Sequence, residues 1–241
     1  MHFKGSHIVR AVLDRVSNTY LKDHRDSQEI LWSGCSAGGR GAAFNMHRVL
    51  ETFPNAKSLN DSDWWTDYTP LEKSTPSFIE ITTKAQALTN GQLDPACVEH
   101  YSTEPWRCMF NFMAEPFYNM PRMTQAYLYD GYGLGMATAN KMSSRPSPEL
   151  EQYAAGWRGH FEDTLGFIKA PESHLFAAGC YQHCSLESAI MYDIKVDGIN
   201  LMDFLESWMQ GKLGENIKMQ DKCEGFNCGV GCADKRAQEF T

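Results

Sequence analysis

The sequence predicts an α/β fold, a three-layer sandwich in which helices cover both faces of a mostly parallel sheet. Three short β-prone runs each lead into small or turn-forming residues: QEILWSGCSAGG, MTQAYLYDGYGLG and SHLFAAGCYQHC. Helical patterns lie between these runs, and strands that alternate with helices are typical of parallel sheets. With 241 residues and 42% hydrophobic content, the chain is long enough for one domain over residues 1–241.

Helical periodicity is visible in three stretches. The N-terminal stretch MHFKGSHIVRAVLDRV predicts an amphipathic helix. The stretch GAAFNMHRVLETF, which ends before Pro54, has one apolar face made of Ala43, Met46, Val49 and Leu50. The stretch PELEQYAAGWRGHFEDTLGFI has a similar face made of Tyr153, Trp157, Phe161 and Leu165. The run SSRPSP at 143–148 predicts a loop within the domain.

Charge and hydropathy exclude several classes of partner. A formal net charge of −8 and a pI near 5.5 argue against a nucleic-acid partner. No run approaches the roughly 18 apolar residues that a membrane span needs. The N-terminal stretch also differs from an apolar secretion signal, so the sequence as written shows neither anchor nor signal.

Eight cysteines indicate an extracellular protein. Seven of them fall into the groups Cys97 and Cys108; Cys180 and Cys184; and Cys223, Cys228 and Cys232. The cysteine-rich tail, residues 223–232, lacks the paired knuckles of a zinc site, so the pattern favours disulfides over a metal. Their pairing stays open. Cys35 stands apart on the predicted strained turn and is the hardest cysteine to pair; one alternative places its partner outside the sequence.

Three polar residues follow the three predicted strands in the order Ser36, Asp130, His183. This order is the one expected of α/β-hydrolases, and Gly34 to Gly38 fit the G-x-S-x-G nucleophile elbow. A serine on that turn is strained, and side chains at Gly34 or Gly38 are expected to crowd the neighbouring strand and helix. The following helix would point amides, beginning with Ala37, toward developing negative charge.

Each of these residues also has an ordinary structural interpretation. Ser36 is small enough for a tight turn, and Asp130 before Gly131 is typical of a turn-capping aspartate. His183 could be a core or surface histidine. The run GYGLG at 131–135 predicts turn glycines rather than a dinucleotide-binding loop.

The motifs GCSAGG, FKGSHIVRAVLDRV and LNDSDWW resemble the pectin acetylesterase and Notum family of serine carboxylesterases. The pair Tyr129-Asp130, the segment FAAGCYQHCSLES and the tail CEGFNCGVGC extend the likeness from Phe3 to Cys232. The resemblance implies an α/β-hydrolase fold with Asp130 and His183 as triad acid and base.

Other features near the elbow bear on the substrate. Family members tend to carry glycine where this chain has Asp63, so substrate preference does not carry over. Asp61, Trp64 and Trp65 are candidate pocket residues, since tryptophans stack on sugars or hold acyl chains, although adjacent aromatics more often pack in the core. Asn60 begins a formal glycosylation sequon whose occupancy is doubtful so close to the site.

We therefore expect a secreted or cell-wall esterase, monomeric and without cofactor, that removes acetyl groups from a polysaccharide such as pectin. A Notum-like lipid-ester hydrolase acting on proteins and a non-catalytic glycan-binding remnant are the alternatives. The family's glycine-rich oxyanion segment, Gly-Gly-Gly-Trp-Cys in type, has no match in the sequence. We accordingly expect the chain to lack N-terminal strands and to be a poor enzyme as written.

Overall fold

The structure is a computed structural model that describes residues 5–23, 28–186 and 188–232. Its strands are β1 (Leu31–Cys35), β2 (Lys57–Asp61), β3 (Arg122–Tyr127), β4 (Ser173–Ala178), β5 (Lys195–Val196), β6 (Ile199–Asn200) and β7 (Lys218–Gln220). Its α-helices are α1 (Gly5–Arg15), α2 (Ala37–Thr52), α3 (Phe78–Thr89), α4 (Pro95–His100), α5 (Asn111–Ala114), α6 (Gly131–Ala137), α7 (Pro148–Leu165), α8 (Ile190–Asp193) and α9 (Leu201–Met209). A π-helical turn, Val16–Tyr20, continues α1, and two short 3₁₀ turns, Pro105–Met109 and Glu115–Phe117, flank α5.

Five strands form one sheet in the order β1-β2-β3-β4-β7, and every neighbouring pair is parallel. The carboxyl ends of all five strands therefore lie along the same edge of the sheet. The short strands β5 and β6 pair antiparallel as a separate ribbon. This arrangement confirms the predicted parallel sheet.

Alternation along β3 separates the two faces of the sheet. Met123 and Tyr127 pack in one hydrophobic cluster with Phe204 of α9. Ala126 points the other way and belongs to the cluster that contains Trp157 of α7. Because successive strand residues face opposite sides, α7 and α9 cover opposite faces, which gives the three predicted layers.

The two long predicted helices are confirmed. α2 buries Ala43, Met46 and Val49 and ends just before Pro54. α7 begins at Pro148, with Ser147 as its N-cap, and buries Trp157. Its start shortens the predicted loop by one residue. Residues 1–4 of the predicted N-terminal helix lie outside the described residues.

Three elements differ from the sequence prediction. The strands β2 and β7 carry no strand signal that we recognised, because β2 is polar (KSLND) and β7 has only three residues. The prediction of turn glycines at 131–135 is wrong, since these residues form α6. Asp130 accepts a hydrogen bond from the Gly133 amide at 2.7 Å, and such capping permits a helix start among glycines.

All eight cysteines lie within the described ranges and form four disulfides: Cys35–Cys184, Cys97–Cys108, Cys180–Cys232 and Cys223–Cys228. The preference for disulfides over a metal is therefore confirmed. Disulfides persist in oxidising compartments, so the chain is extracellular rather than cytosolic. Over the described ranges, no helix has both the length and the apolarity that crossing a membrane requires.

Candidate active site

Ser36 lies between β1 and α2, at the carboxyl edge of the sheet. Its backbone has φ 55° and ψ −121°, a conformation that L-residues rarely adopt and that is held only by surrounding contacts. The Ser36 amide donates to the Asp61 carbonyl at 2.8 Å, and the Ser36 carbonyl accepts from the Arg40 amide at 3.0 Å. The serine therefore stands on a sharp strand-to-helix turn, as the G-x-S-x-G pattern predicts.

The glycines around Ser36 have unequal steric roles. A Cβ at Gly34 would overlap the backbone carbonyl of Gly38. A Cβ at Gly39 would lie 2.8 Å from Asp63 Cβ and 2.9 Å from the Gly34 carbonyl oxygen. At Gly38, by contrast, an added Cβ meets nothing within 4 Å. The expectation of crowding at Gly38 is wrong, and Gly39 takes that role; the doubled glycine in GCSAGG was the signal for it.

Asp130 and His183 meet at the ends of β3 and β4. Asp130 Oδ2 lies 2.7 Å from His183 Nδ1, while Asp130 Oδ1 caps α6. Asp130 is 6% exposed, so its carboxylate acts at close range with little solvent screening. Asp130 is therefore both the cap of a helix and the hydrogen-bond partner of a histidine.

His183 has an environment that favours its charged form. Burial lowers the pKa of His183, but the hydrogen bond and the negative charge of Asp130 and the charge of Asp61 outweigh burial, so the pKa lies above its usual value. With Nδ1 bound to Asp130, Nε2 is buried and has no hydrogen-bond partner. An imidazole held in this way has Nε2 free to accept a proton.

A disulfide joins the residue before Ser36 to the residue after His183. Cys35 pairs with Cys184, and their Cα atoms are 5.8 Å apart. Of the alternatives left open for Cys35, the structure therefore has the one with a partner inside the sequence. A ring nitrogen of His183 and the two sulfur atoms lie within 4.8 Å of one another. Because both sulfurs are bonded to each other, neither is a free thiolate for a metal.

The three candidate pocket residues occupy different environments. Asp61 is completely buried at the end of β2. Trp64 is 4% exposed within the core, and its Nε1 donates to Thr164 Oγ1 at 3.0 Å. Trp65 is half-buried, and Tyr132 stacks on it with ring centroids 5.6 Å apart. The structure therefore places Trp65, and neither Asp61 nor Trp64, at a partly open surface.

Tyr132 links this surface to the histidine. Its ring centroid lies 5.4 Å from that of His183, and its side chain is 39% exposed. Behind Trp65, the Arg40 guanidinium lies 3.7 Å from the indole centroid, a cation–π contact. The sequence places Tyr132 in a stretch, Gly131-Tyr132-Gly133, that departs from the family's pattern next to the expected mouth of the site, and its position here agrees with that expectation. Arg40 carries no sequence signal that predicts its contact with Trp65.

A buried polar cluster lies beside the elbow. Asp63 Oδ2 accepts from Asn111 Nδ2 at 2.6 Å and from Asn60 Nδ2 at 3.0 Å. Burial raises the pKa of Asp63 to about 7, against the opposing effects of the Asn111 and Asn60 hydrogen bonds and the Arg40 charge. Asn60 is 3% exposed, so its side chain is inaccessible to a glycan in the folded protein.

Comparisons with known proteins show the family and the fold of the chain. The family model described as Pectinacetylesterase matches residues 1–233. The chain is 26% identical to the palmitoleoyl-protein carboxylesterase NOTUM of Drosophila melanogaster over 213 residues, which are 86% of this chain and 31% of the relative. It is 22% identical to the palmitoleoyl-protein carboxylesterase NOTUM of Homo sapiens over 261 residues, covering 98% of this chain and 51% of the relative.

A structure of the Wnt deacylase Notum from Drosophila superposes with a TM-score of 0.84 at 25% identity, covering 96% of this chain and 66% of that chain. This likeness confirms the α/β-hydrolase-like fold. The chain spans between about a third and about half of the two curated relatives described above. Because the family model covers nearly the whole sequence, the chain belongs to the pectinacetylesterase family.

Proposed function

We propose that this protein is a serine carboxylesterase in which Ser36, His183 and Asp130 form a catalytic triad. The observation that carries the proposal is the hydrogen bond of 2.7 Å between Asp130 and His183. It leaves His183 Nε2 without a partner at the point where the Cys35–Cys184 disulfide joins the histidine loop to the serine turn. No hydrogen bond joins Ser36 to His183, as is common in catalytic sites without substrate.

In the proposed mechanism Ser36 Oγ attacks the ester carbonyl while His183 Nε2 takes the hydroxyl proton. The protonated imidazole then gives that proton to the leaving alcohol, and an acyl-serine remains. Water, deprotonated by His183, attacks the acyl group and releases the acid. Asp130 holds Nδ1–H throughout and stabilises the imidazolium, which agrees with the direction of the His183 pKa shift.

The negative charge that develops on the carbonyl oxygen needs hydrogen-bond donors. Ala37 is the first residue of α2, and amides in the first turn of a helix have no intrahelical acceptor. The Ala37 amide is therefore the proposed oxyanion donor, and the positive end of the α2 dipole adds to it.

For the substrate we propose an acetyl ester on a polysaccharide such as pectin, acted on by a monomer in the extracellular space or cell wall. The family description supports this choice. The second candidate is a lipid ester on a protein, because the relatives named above are palmitoleoyl-protein carboxylesterases. The exposed aromatic surface of Trp65 and Tyr132 suits either an acyl chain or a sugar ring.

Hydrolysis of aryl esters of increasing acyl length tests both the activity and the acyl preference. We expect Ser36→Ala and His183→Ala to lower kcat/KM by roughly 10⁴-fold or more, since triad members act as a unit. Ser143→Ala and His100→Ala, at exposed positions, serve as matched controls. A fluorophosphonate probe should label Ser36, and this readout needs only an activated serine rather than full turnover.

A fast acetyl ester with a sharp decline beyond short chains supports the polysaccharide acetylesterase, and a preference for long chains supports the deacylase. If the wild-type protein neither hydrolyses any aryl ester nor reacts with the probe at Ser36, the esterase proposal is wrong. The non-catalytic glycan-binding alternative would then be the one to pursue.

A further inference from the structure

The segment that follows His183 is bound to the carboxyl end of β2 through three consecutive amides. The Cys184 amide donates to Ser62 Oγ at 2.9 Å. The Ser185 and Leu186 amides both donate to Asp61 Oδ2, at 2.7 and 2.8 Å. The chain direction immediately after the histidine is thus fixed by two side chains, Asp61 at the end of β2 and Ser62 directly after it, and β2 carries no triad residue.

Asp61 is an unusual group for a purely structural contact. Its side chain is completely buried, and its second oxygen accepts a hydrogen bond from Ser62 Oγ at 2.9 Å. Asp61 is the acceptor in each of these three hydrogen bonds, as an ionised carboxylate must be. No lysine or arginine of the described residues forms an ion pair with it. A buried carboxylate without a neighbouring cation is unfavourable, whereas a neutral acceptor could hold the same amides.

The charge of Asp61 acts on the histidine. Asp61 raises the pKa of His183 in addition to Asp130. Burial holds the pKa of Asp61 itself above its usual value, while the hydrogen bonds from Leu186, Ser185 and Ser62 and the charge of His183 act in the opposite direction and favour the ionised form. The other titratable groups that interact with Asp61 are Asp63 and Tyr127. Neither of these two groups forms a hydrogen bond with His183. The charge of the imidazole is therefore influenced by two carboxylates: Asp130, which contacts Nδ1, and Asp61, which binds the loop that follows His183.

We infer that Asp61 is a positioning residue for the triad base: it fixes the backbone after His183 and its negative charge stabilises the imidazolium. The inference rests on the proposed function, because it assigns a role within the same site. The Cys35–Cys184 disulfide fixes the same loop from β1, so the loop is bound to the carboxyl ends of both β1 and β2. Asp61 itself has no exposed surface and does not touch the substrate.

Asp61→Asn tests the inference because asparagine keeps an acceptor oxygen and removes the charge. We expect kcat for an aryl acetate to fall about tenfold with KM within about twofold, since orientation rather than binding is lost. Loss of the negative charge should lower the pKa of His183. The acid limb of the pH profile of kcat/KM, where His183 must be neutral, should therefore move to lower pH by about half a unit.

Asp221→Asn is the matched control. Its carboxylate also accepts from a backbone amide at a strand end, Gly179 N at 3.0 Å, but Asp221 is not among the groups that influence His183. The same substitution there should leave the acid limb in place. NMR titration of the His183 imidazole gives the pKa independently of activity in the wild type and in both variants.

An unchanged His183 pKa in folded Asp61→Asn overturns the inference. If Asp61→Asn does not fold, Ser62→Ala decides, because it removes the acceptor of the Cys184 amide and keeps the Asp61 charge. We expect its kcat to fall with KM unchanged, because Ser62 Oγ holds both the Cys184 amide and Asp61 Oδ1. A wild-type kcat would show that binding the loop to the end of β2 does not position His183, and this overturns the inference. If the wild type hydrolyses no ester but the His183 pKa responds to Asp61, the electrostatic coupling stands and the proposed esterase function fails.

Discussion

Asp130 has both of the roles that the sequence left as alternatives, a capping aspartate and the partner of a histidine. Its two oxygens serve different partners, Gly133 N and His183 Nδ1, each at 2.7 Å. The helix cap therefore fixes the carboxylate that orients the imidazole. Asp63 illustrates the opposite case, in which an ionisable side chain is buried and only one of its two oxygens, Oδ2, has hydrogen-bond partners. Its Oδ1 has no hydrogen-bond partner, and this is where a titration effect on stability is expected.

Asp63→Asn should change how stability depends on pH. Between pH about 4 and about 7 the unfolded chain has lost the Asp63 proton while the folded chain keeps it, since burial raises the folded pKa to about 7. The free energy of unfolding therefore falls as pH rises through this window, by about 1.4 kcal/mol per unit from this group. Asparagine stays neutral over this range. In urea unfolding, the free energy of unfolding of Asp63→Asn should therefore rise relative to that of the wild type from pH 5 to 7.

The exposed Asp197 provides a control for this comparison. Asp197→Asn, measured in parallel, gives the effect of removing one exposed carboxylate, and the change for Asp63→Asn is compared with it. A difference for Asp63→Asn that stays constant would mean that Asp63 is ionised in the folded protein throughout.

At the scale of elements, the sequence predicts the strands and helices that have a local pattern of apolar residues. The strands β1, β3 and β4 and the helices α2 and α7 were recognisable from apolar runs and helical spacing. β2 was not, because its buried side chains Ser58, Asn60 and Asp61 satisfy one another or the neighbouring loops, and such polar burial exists only after folding. The Cys35–Cys184 pairing spans 149 residues. It depends on the loop after β4 reaching across the carboxyl edge of the sheet to β2 and β1, which residue spacing does not predict.

The serine turn offers an element-scale prediction. Gly39→Ala should lower the free energy of unfolding by about 1–3 kcal/mol, because its methyl group would press on Asp63 Cβ and the Gly34 carbonyl. Gly38→Ala should be neutral or stabilise α2 by up to about 1 kcal/mol, since alanine is the better helix former and the space is open. Urea denaturation of the two variants measures both effects.

These two glycines are adjacent, so each variant is the control for the other. Equal destabilisation by both would contradict the steric argument. A loss of esterase activity in Gly39→Ala that exceeds its loss of folded protein would further indicate that the turn, and with it Ser36, has shifted.

At the scale of the molecule, the cysteine-rich tail fastens the two loops that carry Asp130 and His183. Tyr129 Oη donates to the Gly225 carbonyl at 2.8 Å, and the Tyr181 amide donates to Asn227 Oδ1 at 2.8 Å. From α7, Arg158 donates to the Cys223 carbonyl at 2.7 Å. The tail thus binds the sheet edge and the helical layer at once, and Cys180–Cys232 adds a covalent link to the residues that follow β4.

Removing the two tail disulfides one at a time should distinguish their roles. Cys180–Cys232 attaches the tail to the residues after β4, and Cys223–Cys228 closes a short loop within the tail. Cys180 and Cys232 are 52 residues apart, and loop-closure entropy gives such a bond about 4 kcal/mol of stability. Cys223 and Cys228 are 5 residues apart, which corresponds to about 2 kcal/mol. We expect Cys180→Ala/Cys232→Ala to lower the free energy of unfolding by the larger amount, and to expose amides of residues 223–229 to hydrogen exchange. Cys223→Ala/Cys228→Ala should leave the Cys180 attachment and most of that protection intact. An equal or larger loss from opening the short loop would show that local tail structure, rather than its attachment to β4, holds this edge of the site together.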